Sequence, residues 1–114
     1  FKDYTGYDAF GEVHHGLPEE HHEWFKDHGI NDVNKGEFYF DLDKGIHRLK
    51  KDNGIHTKNS PLGKPWNRVW EDWMENHEEA GARQILEQLD HMAEKAGIEQ
   101  FRAKPKPWWL SLYD

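Results

Sequence analysis

Histidine is concentrated near the start of this sequence. Nine of the 114 residues are histidines, and the adjacent pair His14 and His15 ends an alternating stretch just before Gly16-Leu17-Pro18. Neighbouring side chains of a strand point to opposite faces, so the two rings have different surroundings. One ring can bind a metal while the next takes a proton from an attacking water. The pair indicates metal-assisted hydrolysis, and the alternative is two polar residues at a strand end.

Two later histidines complete a candidate metal site. His47 lies in the helix expected after the second strand, and His56 lies just beyond that helix. Packing of a hairpin on this helix should bring His47 to the end of the first strand, beside His14. Neutral imidazoles suit Zn²⁺, Ni²⁺ or Mn²⁺ and leave Mg²⁺ weakly held. We predict one divalent ion among these four, and the lack of cysteine excludes thiolate ligands.

Two short strands are predicted to position the first part of this site. Residues 9–15 alternate in polarity and end at the histidines. Residues 37–42 form a second alternating stretch, with Phe38, Phe40 and Leu42 on one face. The predicted order is strand, irregular loop, strand and helix.

Helices are predicted around the two strands. Pro18 suits the first turn of a short helix that ends near His28. Asp43 is the expected N-cap of the helix that carries His47 and closes near residues 53–54. Beyond Pro65 we predict two amphipathic helices whose apolar stripes pack together: Trp66, Val69, Trp70, Trp73 and Met74, then Ala82, Ile85, Leu86, Leu89, Met92, Ala93 and Ala96.

The length of the chain predicts one domain with one core. We expect an α+β fold with a hairpin-and-helix core over about residues 10–57 and a helical buttress over about 65–97. An aromatic tail over 104–114 should dock on the body through Trp108, Trp109 and Leu110. No stretch approaches the roughly 18 apolar residues of a membrane helix, so no membrane partner is predicted for this fragment.

The sequence is acidic overall, with a net charge of −7. This charge argues against a general nucleic-acid coat, because nonspecific affinity requires Lys and Arg to neutralise phosphates. A nuclease would need its positive charge locally, and Arg48, Lys51 and Lys44 are the predicted contacts to substrate phosphate. Other basic residues (Lys50, Lys58, Lys64, Arg68) could extend this rim, with the acidic ones (Glu71, Asp72, Glu75, Glu78, Glu79) lying away from it. The alternative is an ordinary solvated helix face.

The ordered set of these motifs resembles a family. It is similar to the histidine-rich HNH-type toxin modules at the C-terminus of bacterial polymorphic toxins, in particular the Myxococcus SitA-like lipoprotein toxin group. The resemblance covers about residues 10 to 97. The residues that carry it are Glu12-Val13-His14-His15-Gly16-Leu17-Pro18, Gly29-Ile30-Asn31, Leu42-Asp43 with His47, Gly54-Ile55-His56, and Trp66-Asn67 with Trp70.

The resemblance implies a ββα-metal fold and a role for each matching residue. His14 resembles the first metal ligand and His15 the general base that activates water. Asn34, or else Asn31, would orient that base, and Glu12 belongs to the catalytic set. The helix-side ligands would be His47 and His56.

The spacing of the helix-side ligands departs from the family pattern. In many ββα-metal enzymes these ligands are one helical turn apart, but the residue four past His47 is Lys51, and His56 lies nine away. Either His56 reaches in from beyond Gly54, or the third ligand is another residue and His56 contacts phosphate. The other candidates are Asn34, Asp43 and Asp41.

The function implied is a metal-dependent endonuclease. It would cut DNA of competing bacteria after delivery as part of a larger secreted effector, and a cognate immunity protein would protect the producing cell. One alternative is a ribonuclease, because a metal and a histidine base do not choose the sugar. The other is a non-enzymatic histidine-rich module that binds metal or a protein, whose site should be closed by four protein ligands.

Overall fold

The computed structural model describes residues 1–49 and 54–109 of the chain. It has an α+β fold in which a two-stranded antiparallel sheet lies among short helices. Residues Glu19–His21, Gly36–Phe38 and Glu99–Phe101 form 3₁₀ turns. The strands and helices are α1 (Lys2–Thr5), β1 (Glu12–His15), α2 (His22–Asp27), β2 (Tyr39–Leu42), α3 (Lys44–Arg48), α4 (Trp66–Glu75) and α5 (Ala82–Ala96).

The hairpin of β1 and β2 places the first two histidines. The strands pair antiparallel, with Glu12 opposite Leu42 and His15 opposite Tyr39. This register sends His14 into the core, where it is fully buried, and leaves His15 half-buried on the other face. The two rings therefore have different surroundings, as the alternation of strand side chains predicts.

Both strands begin later than the sequence predicts. Before β1, the backbone N–H groups of Phe10 and Gly11 donate to the Asp41 carboxylate, each at 2.7 Å. A side chain satisfies these two donors in place of a neighbouring strand, so the ladder starts at Glu12. Before β2, residues 36–38 form a 3₁₀ turn and leave four residues in the strand.

The short helix α3 follows β2 directly and carries His47. Asp43 is its N-cap, as predicted, and the Asp43 carboxylate accepts a hydrogen bond from the backbone N–H of Ile46 at 3.0 Å. The helix ends at Arg48, earlier than the predicted end near residues 53–54. Residues 50–53, among them Lys51, lie outside the described part of the chain.

The helices α4 and α5 bury the predicted apolar stripes. Trp66 and Trp70 of α4 and Ile85 and Leu89 of α5 are fully buried. Gly97, at a φ of +73°, ends α5 as predicted, since glycine adopts this left-handed conformation without strain. Both stripes join one core beneath the hairpin, together with Leu17, Phe25, Val33, Phe38, Phe40, Leu42 and Ile55.

The C-terminal tail is joined to the body through its backbone, where the N–H groups of Ala103 and Lys106 donate to the carbonyls of Tyr39 and Tyr4, each at 2.8 Å. Of the predicted docking residues, Trp108 is 79 % and Trp109 48 % exposed. Leu110 lies outside the described residues. Within residues 1–49 and 54–109, none of the helices has the length and apolar character needed to cross a membrane.

Candidate metal centre

Three histidines from separate segments meet beneath the hairpin. One ring nitrogen each of His14, His47 and His56 lies within 4.8 Å of the others. His14 Nδ1 and His56 Nε2 are 3.2 Å apart, and the ring centres are separated by 5.2 Å (His14 and His47), 5.0 Å (His14 and His56) and 4.7 Å (His47 and His56). The structure therefore brings together the three residues that the sequence selects as metal ligands.

Backbone hydrogen bonds explain how His56 reaches this cluster. The chain returns along α3, where the N–H of Ile55 donates to the carbonyl of Ile46 at 2.8 Å and the N–H of His56 donates to the carbonyl of His47 at 3.2 Å. This pairing places His56 beside His47 without the one-turn spacing of two ligands on a helix. The nine-residue separation is thus compatible with a shared site.

The alternative third ligands are engaged elsewhere. Asp41 binds the two backbone N–H groups before β1, and Asp43 caps α3. The side-chain amide of Asn34 donates to Glu19 at 3.2 Å. His56 is accordingly the residue of this candidate set whose ring nitrogen faces His14.

His14 is enclosed by aromatic rings. Its ring lies edge-to-face with Trp66 at 4.6 Å between centroids and 5.7 Å from Phe40. The His14 Nε2 atom is buried and has no hydrogen-bond partner in the described part of the chain. An unsatisfied buried polar atom costs about 1–3 kcal/mol of folding free energy. A His14 ring that served only as a core side chain would therefore destabilise the fold.

Burial keeps two of the three rings neutral. It lowers the pKa of His14 well below its usual value, and the neighbouring histidines His56 and His47 act in the same direction. Burial also lowers the pKa of His56 to about 4, with a further contribution from His47 and an opposing one from Glu20. Neutral imidazole is the form that binds a metal, so neither ring has to give up a positive charge before it binds one at neutral pH.

The donor set fits a divalent transition ion. Two nitrogens bound at about 2.0–2.1 Å to one tetrahedral Zn²⁺ lie roughly 3.3 Å apart. The separation between His14 Nδ1 and His56 Nε2 is 3.2 Å, a hydrogen-bonding distance that is also close to this value. An all-imidazole set suits Zn²⁺, Ni²⁺ or Mn²⁺ better than Mg²⁺, which prefers oxygen ligands.

Glu12 lies behind His47. Its Oε1 is 3.0 Å from His47 Nδ1, and its Oε2 is 3.1 Å from the Arg48 guanidinium. The hydrogen bond from His47 lowers the pKa of Glu12, and the charges of Arg48 and Lys44 add to this effect. Of the predicted phosphate contacts, Arg48 is thus paired with Glu12, Lys44 is exposed nearby, and Lys51 lies outside the described residues.

A pocket of about 300 Å³ opens over the cluster. His15, His47 and His56 line it, with Val13, Pro18, Glu19, Glu20 and Asn67. His15 therefore shares one opening to solvent with His47 and His56, and His14 lies buried behind them. The pocket walls come from β1, the segment after it, α3 and α4, so the site depends on the packing of all four.

Tyr39 links His15 to Asn34. The ring of His15 lies edge-to-face with Tyr39 at 5.0 Å, and the Tyr39 hydroxyl donates to the backbone carbonyl of Asn34 at 2.7 Å. His15 Nδ1 is buried without a hydrogen-bond partner among the described residues. The side chain of Asn34, predicted to orient His15, donates to Glu19 instead, and the Asn34 backbone is linked to the His15 ring through Tyr39. The strand register places Tyr39 opposite His15, and sequence reasoning missed it.

Two tryptophans hold the peptide that follows His15. The indole N–H groups of Trp66 and Trp70 both donate to the carbonyl of Gly16, each at 2.9 Å. A Cβ at Gly16 would lie 2.7 Å from the carbonyl of Phe38, so a larger residue does not fit. Besides filling the core, α4 thus fixes the end of β1 and with it the position of His15.

Charge around the pocket is more mixed than predicted. Lys64, just before α4, pairs with Asp72, and Arg68 on α4 lies 3.3 Å from Asp72 and 3.8 Å from Glu71. The expectation that Glu71 and Asp72 lie apart from the basic rim is wrong, because helical spacing interleaves them with it.

A second group of side chains could also hold a metal, and we call it the rim group. Glu20, His21 and Glu71 offer ligand atoms within 4.8 Å of one another. His21 Nε2 lies 3.3 Å from Glu71 and 3.6 Å from Glu20. These side chains are partly to largely exposed, whereas the trio of His14, His47 and His56 includes the fully buried His14.

Comparisons of this chain with protein-family models, with curated proteins and with solved structures gave no match. The chemistry of the site is therefore argued from its own residues. They provide three converging imidazoles, a fourth imidazole at the same pocket and a carboxylate behind one of the rings.

Proposed function

We propose that this chain is a metal-dependent endonuclease of the ββα-metal (HNH-like) kind that hydrolyses phosphodiester bonds in DNA. In this proposal it is the toxin domain of a larger effector delivered into competing bacteria, and a cognate immunity protein binds it in the producing cell. The observation that carries the enzymatic part is a cluster of three imidazoles, two of which line the same pocket as His15.

The trio holds the metal in this proposal, and His15 acts as the base. When bound, a divalent cation stabilises the charge that develops on the phosphate and helps the leaving oxygen depart. His15 accepts the proton of the attacking water, which the half-buried ring can do from the pocket wall. Tyr39 restrains the His15 ring through their edge-to-face contact.

The openness of the pocket favours an enzyme over a structural metal module. A structural zinc site is closed by four protein ligands, whereas a catalytic site keeps positions for water and substrate. The cluster comprises three imidazoles of the described chain, and the carboxylate of Glu12 binds Nδ1 of His47. The three rings would hold the metal, and the adjoining pocket would leave room for water and substrate.

Acidic side chains make phosphate binding dependent on the cation. Glu19 and Glu20 line the pocket, and Glu12 neutralises part of the charge of Arg48. Without a metal, Glu19 and Glu20 repel a phosphodiester that approaches His15. Lys44 and the outer N–H groups of Arg48 offer positive charge beside the pocket, and the bound cation supplies the rest.

Digestion of nucleic acid tests the proposal. The purified chain is incubated with plasmid DNA or total RNA and with Mg²⁺, Mn²⁺, Ni²⁺ or Zn²⁺, with and without a chelator. We expect DNA cleavage that the chelator abolishes. Intact DNA and RNA under all conditions would rule out a nuclease, and cleavage of RNA alone would identify a ribonuclease.

A His15→Ala variant separates the base from the metal site. We expect it to lose about 10²- to 10⁴-fold in cleavage rate, the usual contribution of a general base, while it still binds metal. His91→Ala is the matched control, because His91 is exposed on α5 and does not line the pocket. Expression of the parent in cells should reduce viability, and unchanged toxicity of His15→Ala would refute the base role.

A further inference from the structure

The carboxylate of Glu12 bridges a ring of the trio and a guanidinium. Glu12 Oε1 lies 3.0 Å from His47 Nδ1, and Glu12 Oε2 lies 3.1 Å from Arg48. His47 is 17 % exposed and Glu12 34 %, so the contact is partly shielded from water. Both oxygens have a partner, which fixes the carboxylate in one orientation.

This contact selects one tautomer of His47. An ionised carboxylate is only an acceptor, so Nδ1 of a neutral His47 must carry the proton and donate it. The lone pair of the ring is then on Nε2. Since Nδ1 is used by Glu12, Nε2 is the atom that His47 can offer to a cation shared with His14 and His56.

We infer that Glu12 is a positioning residue that holds His47 in the Nδ1–H form, with Nε2 as the metal-binding atom. This assignment rests on the proposed metal site but not on the reaction performed there. A carboxylate or carbonyl on the outer nitrogen of a ligating histidine is a common arrangement, and its loss typically weakens metal binding 10- to 100-fold. Glu12 therefore acts through His47 and does not touch substrate.

The chain offers a matched control pair. Glu23 Oε1 lies 3.0 Å from His22 Nε2, the same distance as in the pair of Glu12 and His47. The exposed fractions are 58 % for His22 and 74 % for Glu23, and neither residue belongs to the trio. Removal of Glu23 thus tests the loss of a carboxylate beside a histidine without a change at the cluster.

The first test reads the tautomer of His47 in the metal-free chain. Long-range ¹H–¹⁵N spectra of the full chain with ¹⁵N-labelled histidine distinguish the two neutral forms. We expect the Nδ1–H form in the parent and in Glu12→Gln, whose amide oxygen remains an acceptor. We expect a mixture in Glu12→Ala. A parent with the proton on Nε2 would overturn the inference, whatever the metal affinity.

The second test titrates the same chains with Zn²⁺ or Ni²⁺ in a calorimeter. We expect binding by Glu12→Ala to weaken 10- to 100-fold, Glu12→Gln to retain most of the affinity, and Glu23→Ala to match the parent. Equal affinity of Glu12→Ala and parent would refute the positioning role. If Glu12→Ala does not fold, a Glu12→Gln chain that loses both the tautomer and the affinity refutes it instead.

The two tests separate this inference from the proposed function. A parent chain that binds neither metal overturns the metal site, yet the tautomer spectra still decide whether Glu12 fixes His47. A parent that binds metal without cutting nucleic acid overturns the endonuclease and leaves the role of Glu12 in place.

Discussion

Two groups of side chains in this molecule bring potential metal ligands within 4.8 Å of one another, and they differ in their partners. The trio of His14, His47 and His56 consists of imidazoles that face one another: His14 is fully buried, and its Nδ1 lies 3.2 Å from Nε2 of His56. The rim group of Glu20, His21 and Glu71 is partly to largely exposed, and each member has a charged or hydrogen-bonding neighbour.

Proximity of potential ligands alone therefore does not make a metal site. A cation at the rim must displace the Asn67 amide from Glu20 and the Arg68 charge from Glu71, and it gains exposed carboxylates that water solvates well. A cation at the trio replaces a contact between two neutral rings, and folding has already removed the His14 ring from water.

The largest expected effect is on metal affinity. His14→Ala removes the buried member of the trio, and we expect Zn²⁺ binding to weaken by more than about 100-fold, beyond the usual effect of an outer-shell residue. His21→Ala removes the histidine of the rim group and should leave the affinity unchanged. Calorimetric titration measures both, and a melting curve checks that each variant is folded. Loss of binding in His21→Ala alone would assign the metal to the rim.

The trio should also make the stability of the metal-free chain depend on pH. The pKa of His56 is about 4 in the folded chain and about 6.5 in the unfolded one, so the unfolded state binds more protons between these values. The free energy of unfolding should therefore fall as the pH drops from 6.5 to 4, by about 3 kcal/mol from this ring.

Denaturant unfolding in the presence of a chelator measures this dependence. His56→Gln, which cannot take up a proton, should have a flatter profile in the same interval. An identical slope in the parent and in His56→Gln would show that the ring is not kept neutral by its surroundings. His14 acts in the same direction, because burial lowers its pKa as well.

The next effect concerns the packing that holds the end of β1. In Gly16→Ala the new Cβ would meet the Phe38 carbonyl at 2.7 Å and the side chain of Leu89 at 2.9 Å. Overpacking of this kind costs about 1–3 kcal/mol, and metal affinity should fall with it because β1 carries His14. Gly81→Ala is the control, since its Cβ would meet only Gln84, at 3.4 Å. Urea unfolding compares the three chains. Equal stability of Gly16→Ala and the parent would contradict the prediction that a side chain at position 16 does not fit beside Phe38 and Leu89.

The positions of His14 and His47 could be predicted from sequence because they follow from the local rules of strand and helix geometry. Strand alternation gives His14 and His15 opposite faces, and the Asp43 cap fixes where α3 begins and so where His47 lies on it. The apolar stripes of α4 and α5 follow from helical spacing in the same way. These are short-range constraints that do not depend on the rest of the fold.

The remaining features depend on contacts between distant segments. The position of His56 follows from backbone pairing with α3 after an intervening segment, which no spacing rule of a helix describes. The bond from His47 to Glu12 joins residues 35 positions apart, and the double hydrogen bond to Gly16 depends on how α4 crosses the hairpin. The ion pairs of Arg68 on α4 were open to prediction from i,i+3 and i,i+4 spacing, and a count of basic residues missed them.

The smallest expected effect is on the stability contributed by the rim group. His21 and Glu71 are 27 % and 38 % exposed and lie 3.3 Å apart, so their pairing should contribute only about 0–1 kcal/mol. A double-mutant cycle with His21→Ala and Glu71→Gln, followed by urea unfolding, measures this coupling at low and at high salt. Salt should reduce it, because exposed charges are screened. A coupling well above this range that persists in high salt would mean that the rim group is organised like the trio, and the distinction between the two groups would then fail.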